Sequence, residues 1–131
     1  MKEIKFNIPL QDPKSIKNVI KFLNEKKPLH GPGKNISLIK KKIKKVFGFK
    51  STHLTNSCTS ALEICALILN LKKTDEVIVP SFSFVTSASS FARTGCKLRY
   101  CDIEKNNLMP GFDQIKKCVN KNTKALIIVH Y

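Results

Sequence analysis

Two runs of consecutive apolar residues, set among helix-forming segments, constrain the fold of this chain more than any other feature. Residues 77–79 read Val-Ile-Val and stop at Pro80, and residues 125–129 read Ala-Leu-Ile-Ile-Val without polar alternation. Such runs are typical of parallel strands that helices cover on both faces. A further strand is predicted over residues 97–101. The sequence therefore predicts an α/β fold with a mostly parallel sheet flanked by helices.

Five helical segments are predicted around these strands. Asp12 and Pro13 start the first, because Asp is a favoured N-cap and Pro suits the first helical position. The segment 61–71 is apolar nearly all round and is therefore expected to be buried. Residues 27–33 are predicted to form a loop and residues 51–55 to be extended. The helical segments are residues 13–25, a segment with the apolar stripe Ile36, Ile39, Ile43 and Val46 that ends at Gly48, residues 61–71, a loop-to-helix segment over 81–93 that Gly95 ends, and residues 113–119.

The net charge of +15 comes almost entirely from lysine, because the arginines are only Arg93 and Arg99. Specific nucleic-acid recognition relies on the bidentate fork of Arg, so this usage fits compositional bias as well as it fits a binding surface. The lysine-rich run 40–45 is interpreted as a solvated helix face, with a nucleic-acid or membrane patch as the alternative. Nucleic acid is therefore not expected as a partner, and a lysine-rich nucleic-acid-binding module ranks last among the hypotheses.

Length and cysteine usage indicate one cytoplasmic domain. The 131 residues are enough to bury a core. No apolar run reaches the about 18 residues of a membrane-spanning helix, and the N-terminus has no secretory signal. The number of cysteines is odd and no pair is spaced as CxxC, so free, buried thiols are expected and a zinc or other metal site is not. The cysteines are Cys58, Cys65, Cys96, Cys101 and Cys118.

Two hydroxyl-rich segments are candidates for a binding site. Residues 55–60 precede a helix, and a helix N-terminus binds anions through its free N–H groups and its positive dipole end. Thr59 and Ser60 add hydroxyl donors there, although a plain Ser/Thr N-cap is the alternative. Residues 80–87 follow a strand at the carboxyl edge, where open α/β sheets bind ligands. An aromatic residue there can stack on a planar cofactor ring, and two core phenylalanines are the alternative.

Several motifs, in this order and spacing, resemble a known enzyme family. They are Gly31-Pro32-Gly33, the helix start Ser57-Cys58-Thr59 followed by Ala61-Leu62, the segment DEVIVPSFSFV at 75–85, Gly95 with Asp102-Ile103, and Val129-His130-Tyr131. The chain from Ile8 onward is similar to the opening half of the DegT/DnrJ/EryC1/StrS family, which are pyridoxal-phosphate-dependent sugar aminotransferases of fold type I. Within that family it resembles the enzymes that make dTDP-4-amino-4,6-dideoxygalactose.

The resemblance implies roles for particular residues. Residues 1–131 correspond to the N-terminal part of the large, cofactor-binding domain, without its remainder and without the small C-terminal domain. Thr59 and Ser60 match the positions that hold the phosphate of pyridoxal 5′-phosphate. Phe84 matches the aromatic residue that stacks on the pyridine ring, and Thr86 lies close by. Gly31 and Gly33 match a segment near the nucleotide-sugar pocket. No metal is implied.

The resemblance also implies a reaction. Family members transfer an amino group from an amino acid, here expected to be glutamate, to a 4-keto nucleotide sugar such as dTDP-4-keto-6-deoxyhexose, in polysaccharide biosynthesis. They act as homodimers with the active site at the subunit interface. The Schiff-base lysine and the pyridinium-binding Asp are expected beyond Tyr131, because none of the 22 lysines stands in the matching context.

The chain alone is therefore expected to be inactive. Its end directly after a hydrophobic strand favours the same interpretation, because a central parallel strand normally leads into a crossover helix. A truncated, non-catalytic remnant is the alternative to an N-terminal portion of a complete enzyme.

Overall fold

The computed structural model describes residues 8–25 and 33–131, which fall into two compact units, residues 1–52 and 53–131. The elements in chain order are α1 (Pro13–Asn24), α2 (Lys34–Phe47), α3 (Cys58–Leu69), β1 (Glu76–Pro80), α4 (Val85–Ala92), β2 (Lys97–Cys101), α5 (Phe112–Cys118) and β3 (Thr123–Leu126). The predicted alternation of helices and strands is confirmed. The predicted extended segment at 51–55 contains no strand.

The first unit contains the two amphipathic helices α1 and α2. The Asp12 side chain caps α1 by accepting hydrogen bonds from the N–H groups of Lys14 at 3.3 Å and Ser15 at 2.9 Å. The hydrogen bonds from Ser15, with the one from Lys14, lower the pKa of Asp12. Helix α2 ends at Gly48, whose φ of 69° lies in the left-handed region that glycine adopts without strain. Both predicted helices are confirmed, with bounds that differ by one or two residues.

The second unit is built on a three-stranded parallel sheet in the order β2-β1-β3. Strand β1 lies at the centre, and all five of its residues are buried. Val77 and Val79 point to one face of the sheet, where they pack with residues of α3, α4 and the segment after β3. Ile78 lies on the opposite face and is also fully buried. The core cluster comprises Ala66, Leu71, Val77, Val79, Phe91, Cys96 and Ile127.

Strand β3 begins and ends earlier than the predicted strand 125–129. The N–H of Ile127 donates to the carbonyl of Ile78 at 2.9 Å, and regular pairing stops there. In a parallel ladder the next donor would be the N–H of residue 80, and that residue is Pro80, which has none. Residues 127–131 therefore leave the sheet, although they continue the apolar run of the sequence.

Helix α3 is less buried than predicted. Ala66 is its only fully buried residue, and the apolar side chains Ile64, Leu67, Ile68 and Leu69 are exposed. The apolar composition of a helix does not show which of its faces are covered. Within residues 53–131, only one side of α3 packs against α4 and the core. The helix starts earlier than predicted because Ser57 caps it.

The five cysteines are free, but the expectation that all are buried is wrong. Cys58 and Cys65 lie on α3 and are exposed. Cys96 and Cys101 lie at the two ends of the β2 region and are buried, and Cys118 is half-buried. Burial raises the pKa of the Cys101 thiol to about 11, and a hydrogen bond with Cys118 adds to this effect.

A buried carboxylate holds the amino ends of the strands together. Glu76, the first residue of β1, accepts a hydrogen bond from Arg99 Nε at 2.7 Å and another from Asn120 Nδ2 at 2.8 Å. The hydrogen bond from Arg99, followed by that from Asn120, lowers the pKa of Glu76. Arg99 belongs to β2 and Asn120 precedes β3, so one carboxylate links all three strands at this edge.

Replacing Glu76 tests this link. A group whose pKa is lowered in the folded state stabilises the fold above its unfolded pKa and loses that effect as pH falls through the folded value. Glu76→Gln should therefore lower the melting temperature by several degrees at neutral pH and by little at acid pH. Glu63→Gln, which removes an exposed ion pair with Arg93, is the matched control and should change it little at either pH. Equal effects of the two variants across the pH range would contradict the proposed role of Glu76.

The central position of β1 predicts a large contrast between two isoleucines. Ile78→Val should lower the free energy of unfolding by about 0.5–1.5 kcal/mol, because it removes a methylene group from a fully buried site. Ile68→Val on α3, where the side chain is 77% exposed, should change it by less than about 0.5 kcal/mol. Urea denaturation of both variants measures the difference. A larger loss for Ile68→Val would show that α3 is covered in the folded chain.

Candidate functional site

A cleft of about 550 Å³ opens in the second unit, beyond the carboxyl ends of β1 and β3. This is the edge at which open α/β sheets bind ligands. Three segments form its walls: the start of α3, the start of α4, and the residues that leave the sheet after β3. The lining residues are Cys58, Thr59, Leu62, Phe84, Thr86, Ser87, and residues 127–131.

The start of α3 presents backbone N–H groups at this cleft. Ser57 is the N-cap, and its hydroxyl oxygen accepts the N–H of Ser60 at 3.0 Å. Its carbonyl accepts the N–H of Ala61 at 3.2 Å and the hydroxyl of Thr55 at 2.8 Å. Helix geometry leaves the N–H groups of Cys58 and Thr59 without an acceptor inside the helix. Both residues line the cleft, which therefore receives the positive end of the α3 dipole.

Thr59 and Ser60 are separated by the cap. Thr59 is half-buried in the cleft wall. Ser60 is not among the lining residues, and its hydroxyl accepts a hydrogen bond from the Ser57 hydroxyl at 3.0 Å. The structure thus brings Thr59 to the cleft and places Ser60 in the N-cap network beside it.

The loop between β1 and α4 carries the aromatic residue of the site. Ser81 follows the strand, and its N–H donates to the carbonyl of Cys101 at 2.8 Å, which fixes the loop to the end of β2. Phe84 is the N-cap residue of α4, where no side chain caps the helix. Phe84 lines the cleft and is 71% exposed, so its ring is accessible to a planar ligand.

The first turn of α4 supplies two more hydroxyl groups. Thr86 is half-buried and Ser87 is buried, and both line the cleft. Ser87 is the last residue of the candidate segment 80–87 but was not singled out as a binding residue, although it lies three residues after Phe84 and therefore on the same side of the helix. The predicted residues Thr59, Phe84 and Thr86 thus meet in one cleft, and Ser87 joins them.

The segment after β3 closes the remaining wall. Ile127, Ile128 and Val129 supply apolar surface, and His130 and Tyr131 follow at its end. The ring of Tyr131 lies 5.3 Å from that of Phe82 in the loop after β1. The sequence did not predict these contacts as a site. The available signal was that Val129-His130-Tyr131 follows a strand at its carboxyl end.

The cleft offers binding groups and few charges. Among the residues that the structure describes, those lining it include no Lys, Arg, Asp or Glu. Its polar groups are N–H donors, hydroxyls, the Cys58 thiol and the His130 imidazole, and its apolar groups include an exposed aromatic ring. Such a surface suits a flat ring that carries an anionic group, because an anion can bind at a helix start and a ring can pack against Phe84.

The remaining expected site features lie elsewhere. Gly31 is outside the described residues. Gly33 belongs to the first unit, where it is the N-cap of α2 with an extended backbone. Over residues 8–25 and 33–131, no group of three or more His, Cys, Asp or Glu is arranged to hold a metal ion. No helix in the same ranges is both long and apolar enough to cross a membrane.

Comparisons with known proteins identify a family and several relatives. A family model of the DegT/DnrJ/EryC1/StrS aminotransferase family matches residues 9–131. The dTDP-4-dehydro-2,3,6-trideoxy-D-glucose 4-aminotransferase of Saccharopolyspora spinosa is 36% identical over 76 residues, which are 58% of this chain and 20% of that protein. The GDP-perosamine synthase of Vibrio cholerae is 29% identical over 126 residues, which are 94% of this chain and 34% of that protein.

Solved structures of similar fold cover nearly the whole chain. The GDP-4-keto-6-deoxy-D-mannose-3-dehydratase of E. coli, solved with bound hydrated PLP, has a TM-score of 0.79 at 25% identity and covers 92% of this chain and 32% of its own. An aminotransferase from Psychrobacter cryohalolentis has a TM-score of 0.83 at 20% identity, and the match covers 93% of this chain and 31% of that protein. The chain therefore spans a fifth to a third of the length of these relatives.

Proposed function

The chain belongs to the DegT/DnrJ/EryC1/StrS aminotransferase family, and from this premise we propose that residues 1–131 form the N-terminal part of the large, cofactor-binding domain of a sugar aminotransferase. The observation that carries the proposal is the cleft at the carboxyl edge of the sheet. Three residues assigned to the cofactor by resemblance, Thr59, Phe84 and Thr86, line it together. They come from two helix starts that are far apart in the sequence.

The groups in the cleft fit pyridoxal 5′-phosphate. The N–H groups of Cys58 and Thr59 and the Thr59 hydroxyl would bind the phosphate, and Ser60 would support them from the N-cap network. Phe84 would pack against the pyridine ring, and Thr86 would lie beside it. When bound, the cofactor supplies an electron sink and a carrier for the amino group. The residues of this chain would bind and orient it.

The proposed reaction moves an amino group from an amino acid, glutamate, to a 4-keto nucleotide sugar. The relatives named above as aminotransferase and synthase act on nucleotide sugars, which supports this substrate class. The resemblance noted in the sequence favours a product such as dTDP-4-amino-4,6-dideoxygalactose. Gly31 and Gly33 are proposed to lie on the substrate side, and the complete enzyme is proposed to be a cytoplasmic homodimer.

The cofactor lysine and the acidic partner of the ring nitrogen are proposed to lie outside residues 1–131. The described residues that line the cleft include neither a lysine nor an aspartate, so this part of the chain binds the cofactor but has no group there to exchange its amino group. A non-catalytic remnant would have the same cleft. The two possibilities differ in whether another polypeptide segment completes the site.

Binding of pyridoxamine 5′-phosphate tests the cradle without the lysine, because this compound has no aldehyde. Thr59→Ala should weaken its binding to the chain about tenfold, because the variant loses a hydroxyl donor to a charged group. Phe84→Ala should weaken it by a similar factor, about fivefold to tenfold, through loss of ring contact. Fluorescence titration measures both dissociation constants.

Two controls make this test specific. Phe112→Ala removes another exposed phenylalanine, which is not among the cleft-lining residues, and should not change binding. Pyridoxamine, which lacks the phosphate, should bind the original chain more weakly than pyridoxamine 5′-phosphate does. Its affinity for Thr59→Ala should equal its affinity for the original chain. Equal binding of the two compounds would contradict a phosphate site at the start of α3.

The chain alone should not transfer amino groups. Residues 1–131, supplied with pyridoxal 5′-phosphate, glutamate and dTDP-4-keto-6-deoxyglucose, should form amino sugar no faster than the free cofactor does, because the described residues that line the cleft include no lysine. Chromatography of the nucleotide sugars measures the product. Turnover above that background would show that one of the 22 lysines of this chain serves the reaction.

A further inference from the structure

Ser87 is a largely buried residue of the cleft wall whose hydroxyl the resemblance does not explain. It is 7% exposed and lines the cleft from the first turn of α4. Its N–H donates to the carbonyl of Phe84 at 2.9 Å, so its backbone is fixed. Over the described ranges of the chain, no hydrogen bond of its hydroxyl is found, and the hydroxyl is not among the fully enclosed unpartnered atoms, which are Thr52 Oγ1 and Ser90 Oγ, so it is open to the cleft. A hydroxyl that reaches a cleft without a protein partner is free to donate to a bound molecule.

The surroundings of Ser87 indicate what could satisfy it. Phe84 gives α4 no side-chain cap, so the N–H groups of Val85 and Thr86 also lack acceptors inside the helix. The start of α4 therefore faces the cleft with a positive dipole end and a free hydroxyl donor. Both favour an oxygen atom of an anionic ligand. The ring face of Phe84, one turn earlier, favours an aromatic ligand.

We propose that the Ser87 hydroxyl donates a hydrogen bond to an oxygen atom of the phosphorylated pyridine cofactor bound in this cleft. The inference rests on the proposed function and extends it, because it adds a binding residue to those that the resemblance assigns. Ser87 is more buried than Thr86, the neighbouring hydroxyl that the resemblance places near the cofactor. A hydroxyl fixed by burial loses little rotational freedom on binding, which makes Ser87 the better-organised donor.

Ser90 on the same helix provides a matched control. It is 3% exposed, and its hydroxyl is fully enclosed without a partner. It lines a different and smaller pocket of about 240 Å³ between α3 and α4, beside the ion pair of Glu63 and Arg93. Ser87 and Ser90 thus have the same residue type, helix and burial, and they differ in whether they face the cleft.

The experiment compares Ser87→Ala with Ser90→Ala in two measurements on the full chain. Without ligand, Ser90→Ala should have a melting temperature equal to or above that of the original chain, because it removes an enclosed, unsatisfied hydroxyl, and Ser87→Ala should change the melting temperature little. Ser87→Ala should weaken binding of pyridoxamine 5′-phosphate roughly fivefold to tenfold, and Ser90→Ala by less than about twofold. Ser87→Thr keeps the hydroxyl and should retain most of the affinity.

The outcomes separate this inference from the proposed function. If the original chain binds pyridoxamine 5′-phosphate and Ser87→Ala binds it equally well, the role of Ser87 is wrong while the proposed function stands. If Ser87→Ala and Ser90→Ala weaken binding equally, the effect comes from helix packing and the inference is also wrong. If the original chain does not bind the compound at all, the proposed function fails first, and the inference fails with it.

Discussion

The burial of β1 between two parallel neighbours is the constraint on which the rest of this structure depends. All five residues of the strand are buried, and both edges form hydrogen bonds. At its amino end, the Glu76 carboxylate is stabilised by Arg99 and Asn120. At its carboxyl end, Pro80 cannot donate to β3, so the ladder stops and residues 127–131 diverge from the sheet. The same proline leads into the loop that carries Phe84. Strand β1 thus connects the amino end of the sheet, where Glu76 forms its hydrogen bonds, with the carboxyl end, where the cleft opens.

The chemistry of the cleft follows from two helix starts that meet beyond that strand. The helices α3 and α4 pack on each other and on the core through small residues such as Ala66, so their first turns lie on either side of the cleft. Each start contributes free N–H groups and hydroxyls, and the loop contributes an aromatic ring. These groups are suited to bind and orient a planar anion. Among the described residues, those lining the cleft include the His130 imidazole and the Cys58 thiol but no Lys, Arg, Asp or Glu, which fits the proposal that the reactive lysine lies outside residues 1–131.

Local signals in the sequence predicted much of the fold and part of the site. The run Val77–Val79, the Asp12 cap and Gly48 act on their own neighbours, and each is confirmed. The early end of β3 was missed because its cause, Pro80, lies on another strand. The exposure of α3 was missed because composition does not indicate which faces are covered. Thr59 and Phe84 were identified by motif, whereas Ser87 resembles any helical serine until its burial and its position at the cleft are known.

The most direct measurement is a map of pyridoxamine 5′-phosphate on the isotopically labelled chain by NMR chemical-shift changes. The account predicts that the largest changes fall on the amides of Cys58 and Thr59 and on residues 84–87, and that they require the phosphate group. Changes concentrated on the lysine-rich face of α2, or in the pocket beside Glu63 and Arg93, would contradict the account. Such a result would mean that the cleft at the carboxyl edge of the sheet is not the cofactor site.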